Sequence, residues 1–410
     1  MSVTPHDRRR TALWIVEKLR AAGHVAHFAG GCVRDKLLGR EPKDFDVATD
    51  AAPADVENLF PRSRGVGAKF GVMLVRKWGH DVEVATFRSD GAYSDGRHPV
   101  GVTFGTERED ALRRDFTING LFFDPVEDRL IDHVGGRADL EAGILRTIGD
   151  PDRRFEEDHL RMLRAVRFAA RFGFPIEAAT RDAIVRRASF LGRISPERVW
   201  LELEMILTEP TRAVGWGLLT TMGLRSYLAA SWTADADEDR RAGRRLLALP
   251  GDSVDPALAL ASVLSDRPRT GVETVCRDLR LSNRLTRDVG WLVESLRRLR
   301  AARPLELADL KTLMADGAWP MLVDLFRAEL AAIDASPEPL HELMRRAGAI
   351  APEAVAPPPL LSGDDLKTMG VSSGPEMGVL LAALRRAQLN EELSTRAQAV
   401  AFVSQQMAGG

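Results

Sequence analysis

Cysteine is almost absent from this chain: two among 410 residues, Cys32 and Cys276, far apart and without the spacing of metal ligands. That excludes a disulfide framework and a cysteine-based zinc site, and it fits a reducing cytosol. Long apolar runs are missing as well, so no membrane-spanning helix is expected. The opening stretch MSVTPHDRRRTALWIVEKLRAAG sets basic residues before a short apolar patch, but charge returns at Glu17, Lys18 and Arg20. It predicts an amphipathic helix and not a signal peptide. No repeat of fixed period occurs, and the one low-complexity stretch is the linker APEAVAPPP. A large excess of one charge is lacking too, the net value being −2. The charges are nevertheless uneven: arginines dominate between Arg153 and Arg198, whereas Ala234 to Asp266 mixes acids and bases. Local basic surface, not the global sum, captures a phosphate backbone.

The length exceeds what one hydrophobic core usually serves, so at least two domains are expected. Up to about residue 149 the chain reads as mixed α/β: β-type runs at Val25–Ala29, Val72–Arg76, Val82–Phe87, Gly120–Phe123 and Leu130–His133 alternate with helix candidates and Gly-rich turns. From Pro151 onward apolar residues recur at helical spacing, as in Leu160, Leu163, Val166 and Ala170, and strand signals all but vanish. Breaks rich in Pro and Gly fall near Gly192–Pro196, Leu249–Pro256 and Ala351–Pro359. The fold class is therefore α+β: a mixed α/β head and a long all-helical remainder.

The chemistry-bearing residues begin in HFAGGCVRDKLLGREPKDFDVATD. Gly30 and Gly31 close a β-type run where a helix starts, which lets backbone amides approach a triphosphate closely, with Arg34 as a further donor. In Asp44-Phe45-Asp46, strand alternation predicts both carboxylates on one face and Phe45 in the core. Two carboxylates so close repel unless a cation lies between them, and oxygen ligands of this kind suit Mg²⁺. Such a site can hold the two metals that activate a hydroxyl and neutralise a leaving pyrophosphate. Glu83, flanked by core-facing Val82 and Val84, is the candidate third carboxylate; Asp81 at the turn is the alternative.

The segment Phe87–Gly105 is rich in Gly, Asp and Ser and reads as a mobile loop. LRRDFTING follows, with Arg113 and Arg114 suited to phosphate or ribose and Asp115 to a hydroxyl. In RRFEEDHLRMLRAVRFAARFGF, a continuous helix would make Asp158 and Arg161 i,i+3 neighbours that hold each other. An acceptor beside a donor matches cytosine and adenine, which show an amino group beside a bare ring nitrogen, and leaves uracil and guanine unsatisfied. Arg164 and Arg167 continue the basic face for triphosphate or RNA.

In this order and spacing, GGCVRD with DFD, the loop before RRDFTIN, and EDHLR with RAVRFAARFGF resemble the class II CCA-adding enzyme and bacterial poly(A) polymerase family of polymerase-β-like nucleotidyltransferases. The match is strong from His27 to Trp200 and weaker to the tail. The resemblance implies a head (1–149), neck (150–210), body (211–350) and tail (351–410). It implies Mg²⁺ on Asp44 and Asp46, and triphosphate on Gly31 and Arg34. Arg113, Arg114 and Asp115, with Asn119 of the same motif, would line the nucleotide site. Asp158 and Arg161 would select C and A, with Arg164 and Arg167 beside them. The substrates implied are CTP, ATP and tRNA, the latter gripped by body and tail through backbone and shape. No catalytic histidine is needed, so His27, His98 and His159 are expected to be structural or peripheral. His341 alone follows His159, so the phosphohydrolase domain of some members is not expected. Bacterial poly(A) polymerases commonly carry Arg-rich extensions, absent here, and CC-only enzymes tend to lack the loop, which spans Gly91 to Pro99. Full CCA addition is the leading expectation; A-addition to tRNA or poly(A) synthesis is the alternative.

Overall fold

The computed structural model describes residues 5–67, 71–90, 102–233, 235–301 and 305–408. The loop from Gly91 to Pro99, and His98 within it, lie outside them. Two compact units result, Met1–Ile206 with Val214–Trp232, and Leu207–Ala213 with Thr233–Gly410.

In the first unit the amphipathic opening helix forms as expected: α1 (Pro5–Ala21) buries Ala12, Ile15, Val16 and Leu19, one stripe at helical spacing. It packs on a mixed sheet built from β1 (Ala26–Ala29), β2 (Asp46–Thr49), β3 (Ser63–Gly67), β4 (Val72–Lys77), β5 (His80–Thr86), β8 (Leu121–Asp124) and β9 (Arg129–Asp132). The strand order is β3-β4-β5-β2-β1-β8-β9. Only β2 and β5 pair in parallel, with Val47 opposite Val84; the other neighbours are antiparallel. Two short strands, β6 (Arg88–Asp90) and β7 (Val102–Phe104), form a separate ribbon. The core under α1 gathers Phe28, Val33, Phe45, Val47, Val82 and Val84. β1 lies inside the sheet and is buried at all four positions, His27 included, whose ring pairs with Glu107.

Further helices of the head are α2 (Gly31–Leu37), α3 (Pro53–Leu59), α4 (Glu107–Leu112) and α5 (Gly136–Ala142). Beyond Asp132 no strand element occurs among the described residues. Asp150 caps α6 (Pro151–Glu157) by accepting from Arg153 N, and Pro151 occupies the first helical position. α7 (Arg161–Phe172) ends on Gly173 in the left-handed conformation; α8 (Ala178–Arg187) and α9 (Pro196–Thr208) follow.

The second unit is helical throughout its described residues. Arg245 is fully buried there and is matched by Asp266 at 2.9 Å and by Glu329, with Arg300 also reaching Glu329 at 2.8 Å. A small apolar cluster of Leu361, Leu366, Met377, Leu384, Ala399 and Val403 holds its C-terminal helices together. None of the helices is long and apolar enough to cross a membrane among the described residues.

Candidate active site

A cleft of about 790 Å³ opens in the first unit between the start of α2, the approach to β2, and α7. Gly30, Gly31, Arg34, Asp44, Asp46, Arg113, Arg114, Asp115, Asn119, Asp158, Arg161, Arg164 and Arg167 all line it. Residues more than a hundred positions apart thus meet in one cavity. Glu83 is not among the lining residues but stands on β5 beside β2, close enough for its charge to act on Asp46.

Gly30 ends β1 with φ of 69°, and a Cβ there would lie 2.9 Å from Arg114 Nη1. Only glycine gives both the left-handed turn and the room. α2 then begins at Gly31 and brings Arg34 inward. Its guanidinium donates to Asp35 Oδ1 at 2.7 and 2.8 Å and to Asn119 Oδ1 at 2.5 Å, and lies over Phe172 at 4.6 Å. Asn119 Nδ2 donates to Asp115 Oδ1 at 3.0 Å, and Arg164 Nε donates to Asp115 Oδ2 at 2.7 Å. Burial alone would raise the Asp115 carboxyl, but the charge of Arg164, the Asn119 hydrogen bond and the charge of Arg161 hold it down at about 2.

The strand reading of Asp44-Phe45-Asp46 needs correction. β2 starts at Asp46, so Asp44 lies before the strand and alternation does not reach it. Phe45 is buried as expected, whereas the Asp44 side chain is 75% exposed and paired with Arg8 of α1. Asp46 faces the open cleft yet is ringed by protein. Burial and the charge of Glu83 push its carboxyl up to about 6, Arg114 opposes this, and Asp44 adds to it. Val82 and Val84 on either side of Glu83 face the core. Asp81 belongs to β5 and not to the turn, and it is matched by Arg64 at 3.7 Å and Arg76 at 3.8 Å. Among the described residues no three His, Cys, Asp or Glu side chains already converge as a metal-binding group. The donor set still fits a hard divalent cation: the charges of Glu83 and Asp44 both act against that of Asp46, and a cation bound by these oxygens would relieve that repulsion.

The Asp158–Arg161 pair also needs correction. Asp158 is the residue after α6, with extended φ and ψ of −145° and 105°, and α7 starts only at Arg161. The two side chains therefore do not hold each other. Asp158 Oδ2 accepts from Arg198 Nη2 at 2.9 Å, whereas Arg161 donates to Glu157 Oε2 at 2.8 Å and to the carbonyls of Arg154 and Arg113. The i,i+3 spacing spans a break between α6 and α7 that EDHLR, with neither Pro nor Gly, does not mark.

Three further residues escape the sequence reading. Buried Asp110 accepts from Arg113 Nη2 at 2.6 Å and Arg114 Nη2 at 2.9 Å, fixing both arginines. Its i,i+3 and i,i+4 spacing to them was the available signal. Glu202 of α9 accepts from Arg167 Nε at 2.7 Å and stands 3.7 Å from Arg164 Nη1. Arg198 is the third, and nothing in the sequence pointed from it or from Glu202 to partners some forty positions away. His159 Nδ1 donates to the Phe155 carbonyl at 2.7 Å and the ring stacks on Phe190, while His27 pairs with Glu107 at 2.8 Å; neither lines the cleft.

A mixed sheet carrying neighbouring carboxylates beside an arginine-lined cleft is the arrangement of a nucleotidyltransferase. The family model described as the poly A polymerase head domain matches residues 26–146, and that of the probable RNA and SrmB-binding site of polymerase A matches 173–233. The CCA-adding enzyme of Geobacillus stearothermophilus is 35% identical over 95% of this chain and 95% of its own length. Poly(A) polymerase I of Haemophilus influenzae is 41% identical over 55% of this chain and 51% of its own. A crystal structure of the Bacillus stearothermophilus CCA-adding enzyme with CTP superposes at a TM-score of 0.79, with 30% identity, covering 100% of this chain and 99% of the other. The chain belongs to the family of CCA-adding enzymes and bacterial poly(A) polymerases, the tRNA nucleotidyltransferases of the CCA-adding type spanning nearly all of it.

Proposed function

We propose that the chain adds CCA to the 3′ end of tRNA from CTP and ATP, without a nucleic-acid template. The observation that carries this reading is the cleft itself, lined by Asp46 together with Arg34, Arg113, Arg114, Arg161 and Arg164. A nucleoside triphosphate brings the negative charge those arginines match. Likeness along 95% of the chain to a CCA-adding enzyme supports the choice of acceptor and nucleotides.

Asp46, Asp44 and Glu83 would hold Mg²⁺, which when bound supplies charge neutralisation and a more acidic attacking hydroxyl. The RNA 3′ oxygen attacks the α-phosphorus in line, forming one P–O bond as the bond to pyrophosphate breaks. The start of α2 at Gly30 and Gly31, with Arg34, receives the triphosphate. Asp115, Asn119, Arg113 and Arg114 line the ribose side. Asp158 presents the acceptor and Arg161 the donors that read cytosine and adenine, each oriented by its own partner: Arg198 for Asp158, Glu157 for Arg161. Catalysis comes from positioning and electrostatics and needs no protein base. The buried, unbridged Cys32 and Cys276 suit a cytoplasmic location.

The test supplies purified protein with tRNA transcripts lacking the last three, two or one nucleotides, with Mg²⁺ and CTP, ATP or both. Extension by C, C and A, stopping there, is the expected result. A alone on the transcript ending in CC would identify A-addition, and long A tails poly(A) synthesis. No extension of any transcript would overturn the reading.

A further inference from the structure

β4 and β5 are joined by only two residues, since Lys77 pairs with His80. Those residues, Trp78 and Gly79, have φ of 49° and 84°. A two-residue hairpin turn with both φ values positive favours Asn-Gly, and Gly79 meets that demand. Trp78 does not: a bulky aromatic in the left-handed region is strained, and hairpin formation gives no reason for it. Nor does burial, since Trp78 is 51% exposed.

Its surroundings are basic and aromatic. The Arg10 guanidinium lies 4.8 Å from the Trp78 ring centre. Lys77 Nζ lies 5.2 Å from the same ring and 4.6 Å from that of Trp14, while Lys18 lies 5.4 Å from Trp14. The two tryptophans are 5.8 Å apart. They border a cavity of about 450 Å³ with no carboxylate in its lining. Asp81, on the strand leaving the turn, is already matched by Arg64 and Arg76.

The patch lies at the end of the sheet where β2 and β5 begin, the same end as the carboxylates. Arg8 of α1 pairs with Asp44, and Arg10, two residues along, covers Trp78. Asp46 and Glu83 stand side by side on parallel strands, and the turn lies roughly 10 to 15 Å beyond Glu83 at about 3.3 Å per residue. Flat aromatic faces among flexible cations are what an unpaired nucleic-acid strand needs: bases stack without regard to sequence and cations follow the phosphates. An acidic polypeptide would satisfy the cations but has no use for an exposed indole held in a strained turn.

We propose that Trp78, with Trp14, Lys77 and Arg10, docks an unpaired stretch of the RNA whose 3′ end is being extended; this rests on the reading of the chain as an RNA-extending enzyme. Trp78→Asn supplies the residue the turn prefers, so it removes the ring while keeping the hairpin. Arg10→Gln with Lys77→Gln removes charge and leaves the turn alone. Binding of a short oligouridylate blocked at its 3′ end is followed by fluorescence anisotropy over a salt series, with steady-state extension of tRNA alongside. Trp78→Asn is expected to weaken oligouridylate binding roughly five- to a hundredfold by loss of stacking. It should raise KM for tRNA, leave kcat and KM for CTP unchanged, and keep the melting temperature. The double variant should lower the slope of log affinity against log salt by roughly one. Unchanged RNA affinity in Trp78→Asn overturns the proposal, as does an equal loss of affinity for polyglutamate, which would mark a protein-docking surface. Should Trp78→Asn fail to fold, an unchanged salt slope in the double variant overturns it instead. A wild-type protein that binds oligouridylate through this patch but extends no RNA would refute the enzymatic reading and leave the binding site standing.

Discussion

Arg198 reaches back forty positions to hold Asp158, its Nη2 donating to Asp158 Oδ2 at 2.9 Å. Arg161, only three residues from Asp158, is turned to Glu157 instead. The proposed acceptor and donor for the incoming base are thus anchored separately. Arg198→Ala leaves the Asp158 carboxylate with its hydrogen bond from Leu160 N but without its charged partner, and discrimination against UTP should fall by about tenfold, the worth of one well-placed hydrogen bond to a charged group. Single-turnover incorporation of CTP and UTP on the same transcript measures it; an unchanged ratio would show that Arg198 does not position Asp158.

Asp46→Asn keeps the shape of the side chain and removes its charge. Extension should slow by about three orders of magnitude or more if Asp46 holds the metal. Thermal stability should hold or rise, because the burial and the charges of Glu83 and Asp44 that push this carboxyl up to about 6 no longer act on a charged group. A variant that melts early and loses activity in proportion would instead mark Asp46 as structural.

Asp115 titrates at about 2 in the folded chain against an ordinary 3.8. Because its folded value is depressed, its contribution is full above pH 3.8 and fades as pH falls toward about 2. The shift corresponds to about 2 kcal/mol. The urea midpoints of wild type and Asp115→Asn should therefore differ most near neutrality and converge in acid. A gap independent of pH would assign the effect to packing.

Glu202→Ala strands Arg167 and removes a neighbour of Arg164 inside the protein. Loss of one partner of a buried ion pair costs about 3 kcal/mol or more, so the denaturant midpoint should drop clearly. Replacing both members, Glu202→Met with Arg167→Met, should recover much of that loss; failure to recover would show that the pair is worth more than the absence of an unpaired charge.

Gly30→Ala places a methyl 2.9 Å from Arg114 Nη1 on a residue with φ of 69°. It should destabilise the chain by about 1 to 3 kcal/mol. KM for CTP should rise as Arg114 is displaced, and a variant with unchanged KM would show that Arg114 does not meet the nucleotide.

The chain itself determined the local features: the amphipathic α1, the β-type run of β1, the glycine turn into α2, the valines flanking Glu83 and the helical character after Pro151. Each follows from periodicity or backbone preference within a few residues, which a sequence displays directly. The motifs that carry the family resemblance are equally local, and nearly all the site residues they named line one cleft. Tertiary structure decided the partners. Asp44 proved exposed and held by Arg8, Asp158 was taken by Arg198, and Arg167 was fixed by Glu202. The break between α6 and α7 likewise has no local marker. These outcomes depend on which distant charges folding brings within hydrogen-bonding distance, and a buried arginine settles on whichever carboxylate compensates its lost hydration. Sequence spacing holds no record of that choice.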